Sequence, residues 1–309
     1  MNKNLMTGIW RFLADAMTAI AMLLIVAGLF GNWHPALDAL SHLRHFLVIA
    51  VLFGALTCAA FGSRRLAILS TVALGAALAI SFPHLPFVDP SAKTAGGLRV
   101  IQFNVKIDNA QQERAANWMI AQKPDVVTLQ EFDPVNHTGF QILAKELPFE
   151  VTCKARGFGY VVIRSRHQIE AQHCSEGEGF AWVRVNVQGQ LVTFATVHLA
   201  WPWPFKQAEQ LKNLKPAFAV LPTPVVLTGD FNATPWSATV SQIETMTSTK
   251  AVGGFRISLW LDVFHTGKPW PVLPIDHVLL PPNARLKSIE SGPFLGSDHL
   301  PVVADFALN

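Results

Sequence analysis

Acidic, amide and imidazole side chains stand at the ends of apolar, strand-like runs through the last two thirds of the chain. The candidates for one site are Asn104, Glu131, His198, Asp230, Asn232, Asp276, Asp298 and His299. Carboxylate and amide oxygens are the ligands that hard divalent cations prefer, and an imidazole titrates close to the pH at which phosphate chemistry proceeds. The set therefore predicts metal-assisted hydrolysis of a phosphoester.

A domain of mixed α and β structure must position these residues, because residues 98–309 alternate strand patterns with occasional helical ones. The predicted strands are Leu98–Val105, Asp125–Gln130, Tyr160–Arg164, Ala181–Val187, Leu191–His198, Val225–Gly229, Asp276–Leu280 and Pro301–Phe306. Asp108 or Asn109 is expected to cap one helix and Pro204 to open another. The turn at Gln188–Gly189 indicates an antiparallel hairpin. The predicted fold class is α+β, a four-layer α/β/β/α sandwich with two mixed sheets.

A different composition precedes this domain. Three apolar runs, roughly Ile9–Phe30, Phe46–Phe61 and Leu66–Phe82, lie before a boundary at Pro86–Gly97. About 20 apolar residues can cross a bilayer, and three such runs do not fit one cleaved signal peptide. Residues 1–88 are therefore predicted to form an all-α membrane anchor with three transmembrane helices, residues 89–97 a linker, and residues 98–309 the soluble domain.

Basic residues in the short loops predict the orientation of the anchor. Lys3 and Arg11 flank the start of the first span, and Arg64 and Arg65 separate the second span from the third. With the N-terminus inside, the domain after the third span lies outside the cytoplasmic membrane. Asp15 is the ionisable residue that lies deepest in a span, and Arg11 is four residues earlier on the same helical face.

The cysteines bear on this placement. Cys58 falls in a predicted span, whereas Cys153 and Cys174 fall in the soluble domain. An oxidising compartment would permit a disulfide between Cys153 and Cys174. Two small buried thiols are the alternative, with equal weight, because sequence spacing does not show whether the two Cα atoms come close.

The soluble domain carries no excess charge. Residues 98–309 contain 18 Lys plus Arg against 18 Asp plus Glu, so the formal net charge of +3 comes from residues 1–97. Proteins that bind nucleic-acid backbones present a basic surface. The balance disfavours a nuclease, although charges segregated on one face would not change this count.

The motifs, taken in order, resemble the endonuclease/exonuclease/phosphatase superfamily, the deoxyribonuclease-like group that also holds sphingomyelinases and inositol polyphosphate phosphatases. The resemblance rests on Asn104, Glu131 after a strand, Gly229-Asp230-Phe231-Asn232, Ile275-Asp276 and Ser297-Asp298-His299. It covers residues 98–309 and implies a phosphoesterase domain. It also implies that Glu131 is the main metal carboxylate, with Asn104 and Asp298 as further ligands. Mg²⁺ is the expected ion and Mn²⁺ the alternative.

The same resemblance implies the catalytic roles. His299 is expected to be the catalytic imidazole and Asp276 the carboxylate that orients it. His198 is expected to face the phosphate, where it stabilises charge or protonates a leaving oxygen. Asp230 and Asn232 are two residues apart at a strand end and should point together toward the phosphate and the attacking water.

Other polar and aromatic residues are expected to have structural roles, or their roles stay open between alternatives. His277 should point to the sheet face opposite Asp276. Lys106 either contacts a phosphate or is a solvated lysine. The segment Trp201–Phe205, Trp-Pro-Trp-Pro-Phe, could rest in a membrane interface, stack on a base or pack as a loop. The histidines expected at the surface are His137, His167, His173 and His265.

The preferred function is membrane-tethered, Mg²⁺-dependent hydrolysis of a phosphodiester in a lipid head group or a small phosphoester. DNA or RNA outside the cytoplasm is the second substrate class, and a non-catalytic binding module on the same fold is the third alternative. The partners that follow are a phosphoester substrate and the lipid bilayer, with nucleic acid as the alternative substrate. No protein partner is inferred.

Overall fold

A computed structural model of the 309-residue chain describes residues 3–61, 64–81, 97–155, 157 and 159–308. The chain separates into two compact units. One unit contains Met1–Leu85, Pro202–Pro204 and Trp236–Thr239, and the other contains the rest of the chain. Apart from Gly97, the predicted linker at 89–97 lies outside the described residues.

The first unit contains α1 Lys3–Gly28, α2 Pro35–Ser41, α3 Arg44–Phe61 and α4 Arg64–Ser81. Helix α3 packs against both α1 and α4. A Cβ atom at Gly54 of α3 would lie 1.8 Å from Oγ1 of Thr18 on α1, so the glycine permits a close approach of the two helices. The thiol of Cys58 donates a hydrogen bond to Oδ1 of Asp15 at 3.1 Å. Cys58 is thus a partner of Asp15 that the sequence did not indicate.

The described residues contain one helix, Met6–Gly28, that is long and apolar enough to cross a membrane. Helices Pro35–Ser41 and Arg44–Ala60 pass the same test together, but they are bent by 59° at the break between them. The third apolar helix, Ala67–Ser81, is shorter than a span. By length and composition, the described helices therefore support one span, or two spans if the bent pair forms a single one. A signal sequence near the N-terminus would satisfy the same criteria.

The second unit is built mainly from strands. They are β1 Leu98–Asn104, β2 Val126–Phe132, β3 Phe149–Lys154, β4 Tyr160–Ser165, β5 Ile169–Ser175, β6 Phe180–Val187, β7 Gln190–His198, β8 Val225–Asp230, β9 Lys250–Ala251, β10 Leu259–Leu261, β11 Trp270–Leu273, β12 Asp276–Leu280, β13 Ala284–Ser291 and β14 Val302–Leu308. One six-stranded sheet has the order β13-β14-β1-β2-β4-β3, and the other has the order β5-β6-β7-β8-β12-β9. Both sheets are mixed, because β1 and β2 run parallel, as do β7 and β8, among antiparallel neighbours.

Three apolar clusters hold these layers together. One lies between the sheets and includes Val100 and Phe194. A second packs α6 Gln207–Ala219 and α7 Ala238–Thr247 against the β5–β9 sheet. The third packs α5 Gln112–Ala121 and the 3₁₀ helix Thr138–Lys145 against the other sheet. The predicted α+β sandwich of two mixed sheets covered by helices is confirmed.

A disulfide joins the two sheets at their edges. Cys153 lies on β3 and Cys174 on β5, which are edge strands of different sheets, and their Cα atoms are 5.5 Å apart. The structure therefore contains the disulfide and not the alternative pair of thiols. Closing a loop over a sequence separation of 21 residues stabilises the fold by about 3 kcal/mol, mainly by restricting the unfolded chain.

Candidate active site

The space between the two sheets is apolar at one end and polar at the other. Alternate residues of a strand enter this space, because successive side chains point to opposite faces. On β1, Val100 lies in the apolar cluster between the sheets, and Gln102 and Asn104 follow it at intervals of two. The buried polar residues at alternate positions are Gln102 and Asn104 of β1, Thr128 and Gln130 of β2, Thr196 and His198 of β7, Thr228 and Asp230 of β8, and Asp276 of β12.

Strand pairing brings the ends of these strands together. Asn104 lies opposite Gln130 in the parallel pair of β1 and β2. His198 lies opposite Asp230 in the parallel pair of β7 and β8, and Asp230 lies opposite Asp276 of antiparallel β12. The predicted convergence of polar strand ends is therefore a consequence of register within each sheet.

Unusual backbone conformations mark the same strand ends. Gly229 has φ 145°, and a Cβ atom there would lie 1.9 Å from the carbonyl oxygen of Val197, so only glycine fits beside β7. Lys106, Glu131 and Asn232 have φ values of 61°, 54° and 45°. A left-handed conformation costs a residue with a Cβ atom about 1 kcal/mol, and such residues cluster at functional sites.

Asn104 connects carboxylates from both sheets. Its Nδ2 donates hydrogen bonds to Oε1 of Glu131 and to Oδ2 of Asp230, each at 3.0 Å. Its Oδ1 accepts a hydrogen bond from the backbone N–H of Lys106 at 3.0 Å. The Glu131 side chain is 25% exposed, whereas Asp230 is buried. In this orientation the amide holds the two carboxylates close together, and its use as an oxygen ligand stays a prediction.

His299 is held by a buried carboxylate. Its Nδ1 donates a hydrogen bond to Oδ2 of Asp276 at 2.7 Å. The other ring nitrogen, Nε2, lies 3.7 Å from Oδ2 of Asp230. Nε2 of Gln102 donates to the remaining oxygen of Asp276 at 2.7 Å. The structure thus brings together the predicted imidazole and its predicted orienting acid.

Burial and charge shift the acid–base equilibria of these groups. Burial alone would lower the pKa of His299, but Asp276 and Asp230 outweigh it and raise the pKa to about 10. Burial raises the pKa of Asp230 to about 7. Burial opposes ionisation of Asp276 as well, but its contacts with His299, Ser258 and Gln102 hold its pKa below the usual range. An ion pair of Asp276 and His299 therefore lies beside a carboxyl group that retains its proton more strongly.

A second histidine, His198, also lies close to Asp230. Its Nε2 lies 3.5 Å from Oδ2 of Asp230 and 3.9 Å from Oε1 of Glu131. Burial lowers the pKa of His198 to about 4, so the ring is neutral at neutral pH. The backbone of His198 is fixed by a hydrogen bond from its N–H to the carbonyl of Gly179 and by one from the Gln210 amide to its carbonyl.

Two buried glutamine side chains, which were not predicted from the sequence, support the site through hydrogen bonds. Nε2 of Gln102 donates to Oε1 of Gln130 at 2.7 Å as well as to Asp276, and Nε2 of Gln130 donates to Oγ1 of Thr196 at 2.8 Å. The bonds from Gln102 to Asp276 and from Gln130 to Thr196 cross from one sheet to the other. The spacing could have indicated Gln102, because it lies two residues before Asn104 in an apolar strand and must point to the same face of the sheet.

Two predicted site residues lie at the edge of this group. The backbone N–H of Asn232 donates to Oδ1 of Asp230 at 2.8 Å, and its side-chain amide donates to the carbonyl of Leu199 at 2.7 Å. The charge of Asp298 contributes to the raised pKa of the adjacent His299. Contact of Asn232 with phosphate, and of Asp298 with a metal, stay predictions.

The remaining polar residues fall into place around the site. His277 is buried, and its Nε2 lies 2.7 Å from the carbonyl oxygen of Ala233. Nζ of Lys106 lies 3.3 Å from Oδ1 of Asp108. His137, which the sequence placed at the surface, is instead buried, so that prediction is wrong.

The donor set suits a hard divalent cation. Glu131 offers a partly exposed carboxylate beside the amide of Asn104 and the carboxyl group of Asp230. Ligand atoms of Asp230, Asp276 and His299 also lie within 4.8 Å of one another, so this buried group could hold a metal ion. An oxygen-dominated set fits Mg²⁺ or Mn²⁺ better than Zn²⁺, which favours His and Cys. A cation would also stabilise the ionised form of the buried Asp230.

Two mixed sheets with acidic, amide and imidazole groups at one end of the space between them define a class of hydrolases that act on phosphoester bonds. The chain belongs to the Endonuclease/Exonuclease/phosphatase family, which it matches over residues 101–299. This stretch contains every predicted site residue, from Asn104 to His299. Among curated proteins, no sequence match is found.

Solved structures share the fold at low sequence identity. An endonuclease/exonuclease/phosphatase from Bacteroides vulgatus has a TM-score of 0.56 and 17% identity, with 70% of this chain and 100% of that chain covered. D. rerio TDP2 complexed with a single-strand DNA product has a TM-score of 0.56 and 17% identity, covering 69% and 100%. Sphingomyelinase C from Streptomyces griseocarneus has a TM-score of 0.51 and 18% identity, covering 68% and 99%.

Proposed function

We propose that this chain is a membrane-tethered, Mg²⁺-dependent phosphodiesterase that acts on a lipid head group or another small phosphodiester. The observation that carries the proposal is the convergence of Asn104, Glu131 and Asp230 with the hydrogen-bonded pair of His299 and Asp276. Burying several ionisable groups together is costly, and such arrangements are typical of catalytic sites. A non-catalytic binding module would have no need for an oriented imidazole.

The residues divide the work of hydrolysis among them. Glu131 and Asn104, with Asp298, would hold the cation, which neutralises charge on the phosphate oxygens when it is bound. His299, fixed by Asp276, donates a hydrogen bond to a phosphate oxygen and stabilises the negative charge that grows in the transition state. Asp230 orients the attacking water, and its Oδ2 lies 3.5 Å from Nε2 of His198 and 3.7 Å from Nε2 of His299.

Hydrolysis joins the water oxygen to phosphorus and breaks the bond between phosphorus and the leaving oxygen. The proton that the attacking water loses balances the proton that the leaving oxygen gains. His198, whose Nε2 lies 3.5 Å from Oδ2 of Asp230, stabilises charge on the leaving oxygen. Asn232, anchored to Leu199, presents its backbone to Asp230 and keeps that carboxyl group in position.

The charge balance favours a small substrate over a polyanion. Residues 98–309 carry equal numbers of basic and acidic side chains, 18 of each. Neutralising several phosphates of a nucleic acid requires a surplus of Lys and Arg on the binding surface. Because one structural relative is described with a single-strand DNA product and another as a sphingomyelinase, both substrate classes belong in the same experiment.

The substrate experiment uses the full chain purified in detergent. We expect hydrolysis of bis(p-nitrophenyl) phosphate and of a head-group phosphodiester with Mg²⁺ or Mn²⁺, at least about 100-fold slower with a chelator, and little nicking of plasmid DNA. Fast nicking with slow head-group hydrolysis would reassign the protein as a nuclease. A folded protein that hydrolyses none of these substrates would overturn the proposed function.

We further propose that residues 1–88 form a three-span anchor and that the domain of residues 98–309 lies outside the cytoplasmic membrane. The disulfide of Cys153 and Cys174 supports this placement, because disulfides persist in oxidising compartments and are rare in the cytoplasm. The apolar helix Met6–Gly28 supports at least one crossing.

Thiol trapping in intact cells tests the compartment. With the domain outside, a maleimide polymer added after denaturation should label one cysteine, Cys58, before reduction and all three cysteines after it. The Cys58→Ala variant is the control, because it should remain unlabelled until reductant is added. Labelling of three cysteines without reductant would place the domain in the cytoplasm.

A further inference from the structure

A cavity of about 340 Å³ opens beside the catalytic group and includes His198 in its wall. The volume falls in the range of small-molecule pockets. Its walls come from the residues that follow β3 and β5, from the segment after β7, and from the first turns of α6. Because His198 also contacts Asp230, a group bound in the cavity is adjacent to the phosphate position.

The cavity combines aromatic and acidic side chains. Trp201 and Phe205 line it, and they are 38% and 66% exposed although both are large and apolar. Glu178 and Glu209 line it as well. Among the lining residues that the structure describes, Lys206 is the one lysine or arginine, and its Nζ lies 3.8 Å from Oε2 of Glu209.

The formal charge of the lining residues described by the structure is negative. The carboxylates of Glu178 and Glu209 outnumber the one lysine, Lys206. Glu178 is held in place, because its Oε1 accepts a hydrogen bond from Nδ2 of Asn213 at 3.1 Å. A second phosphate of a nucleic acid would meet repulsion here, whereas a cation would meet both a carboxylate and aromatic side chains.

We infer that this cavity binds the ammonium group of an amino-alcohol phosphodiester, such as a choline or ethanolamine head group, while its phosphate lies at the catalytic group. Trp201 and Phe205 provide aromatic side chains, and Glu178 provides the opposite charge. This inference rests on the proposed phosphodiesterase function and narrows its substrate class to esters with a cationic head group.

A pair of esters that differ in one charge tests the inference. p-Nitrophenyl phosphocholine and p-nitrophenyl 3,3-dimethylbutyl phosphate have nearly the same shape, but the second has carbon in place of the quaternary nitrogen. For the full chain with Mg²⁺, we expect kcat/KM to be about tenfold higher for the choline ester. Trp201→Ala and Glu178→Gln should each reduce this ratio to about two or less. Glu176→Gln is the matched control, because this exposed carboxylate lies two residues away and outside the lining.

The outcomes separate the inference from the proposed function. Equal kcat/KM for the two esters overturns the inference while leaving the phosphodiesterase intact. Faster hydrolysis of thymidine 5′-p-nitrophenyl phosphate than of the choline ester would assign the aromatic faces to base stacking and would also overturn it. A ratio that survives Trp201→Ala and Glu178→Gln would place the ammonium group outside this cavity.

A binding measurement decides the inference if no ester is hydrolysed. Calorimetric titration of the full chain with phosphocholine and with 3,3-dimethylbutyl phosphate, in the presence of chelator, does not depend on turnover. Binding of phosphocholine at least about tenfold tighter, lost in Glu178→Gln and kept in Glu176→Gln, supports the cavity assignment. Equal affinities reject it.

Discussion

Replacement of His299 by alanine should lower kcat for phosphodiester hydrolysis on the order of 10³-fold. The variant loses the imidazole that donates a 2.7 Å hydrogen bond to Asp276 and whose Nε2 lies 3.7 Å from Oδ2 of Asp230. The loss should appear in kcat rather than KM, because the imidazole acts on charge that grows in the transition state. Steady-state kinetics with bis(p-nitrophenyl) phosphate measures both constants.

The chain provides a matched control for this substitution. His167 also contacts an aspartate, with its Nε2 3.1 Å from Oδ1 of Asp125, but Asp125 precedes β2, at the end opposite Glu131. His167→Ala removes a similar pair and should keep kcat within about twofold of the wild type. A folded His299→Ala variant with wild-type kcat would refute the assignment of the catalytic imidazole.

Replacement of Glu131 by glutamine should weaken the response to Mg²⁺ strongly while leaving the fold intact. Glutamine preserves an oxygen that can accept the hydrogen bond from Asn104 but removes the charge that a divalent cation requires. We expect activity at least about 100-fold lower at the Mg²⁺ concentration that half-saturates the wild type, with partial recovery as Mg²⁺ is raised.

Stability measurements separate this effect from unfolding. Glu131 and Asp230 both contact Asn104, so removing one carboxylate relieves like-charge repulsion, and the free energy of unfolding in chelator should be no lower than in the wild type. Mg²⁺ should raise the unfolding temperature of the wild type more than that of the variant, since a ligand stabilises only the state that binds it. Glu113→Gln, an exposed carboxylate on α5, is the control. Equal stabilisation by Mg²⁺ in the wild type and Glu131→Gln would contradict the metal assignment.

The central strands could be predicted from the sequence, whereas the edge strands could not. The predicted run Asp276–Leu280 coincides with β12, and Leu191–His198 differs from β7 by one residue. These strands are buried on both faces and read as continuous apolar runs. The edge strand β5, Ile169–Ser175, is largely exposed and carries Glu, Gln and His, so its composition gives no strand pattern. Its sheet partner β6 supplies the hydrogen bonds that define it.

The site residues that could be predicted are polar side chains at the ends of apolar strands or in the loops next to them. Asn104, Asp230, Asp276 and His299 meet in the structure because register within each sheet aligns their strands or adjoining loops. Polar residues that are buried only by contacts distant in sequence could not be recognised as buried from the sequence. His137 is one of them.

His137 is buried by a hydrogen bond to a residue distant in sequence and by packing against two phenylalanine rings. Its Nε2 lies 3.0 Å from the carbonyl oxygen of Ile107, thirty residues earlier. Its ring packs against Phe132 and Phe140 with centroid separations of 5.3 and 5.6 Å. A histidine in a polar loop segment carries no pattern from which such packing can be derived.

The two halves of the candidate site belong to different sheets. Asn104 and Glu131 come from one sheet, Asp230 and Asp276 from the other. Beneath them, the hydroxyl groups of Thr128 and Thr228 are hydrogen-bonded across the gap at 2.8 Å.

The distance between the two sheets therefore sets the distances between the catalytic groups. Residues that do not contact the substrate also influence these distances. A change of side-chain volume at Phe194, deep in the cluster between the sheets, would alter the separation of the carboxylates as well as the stability of the fold. Adaptation of this protein to a new temperature or a new ester can thus proceed through its interior, with the reacting groups themselves unchanged.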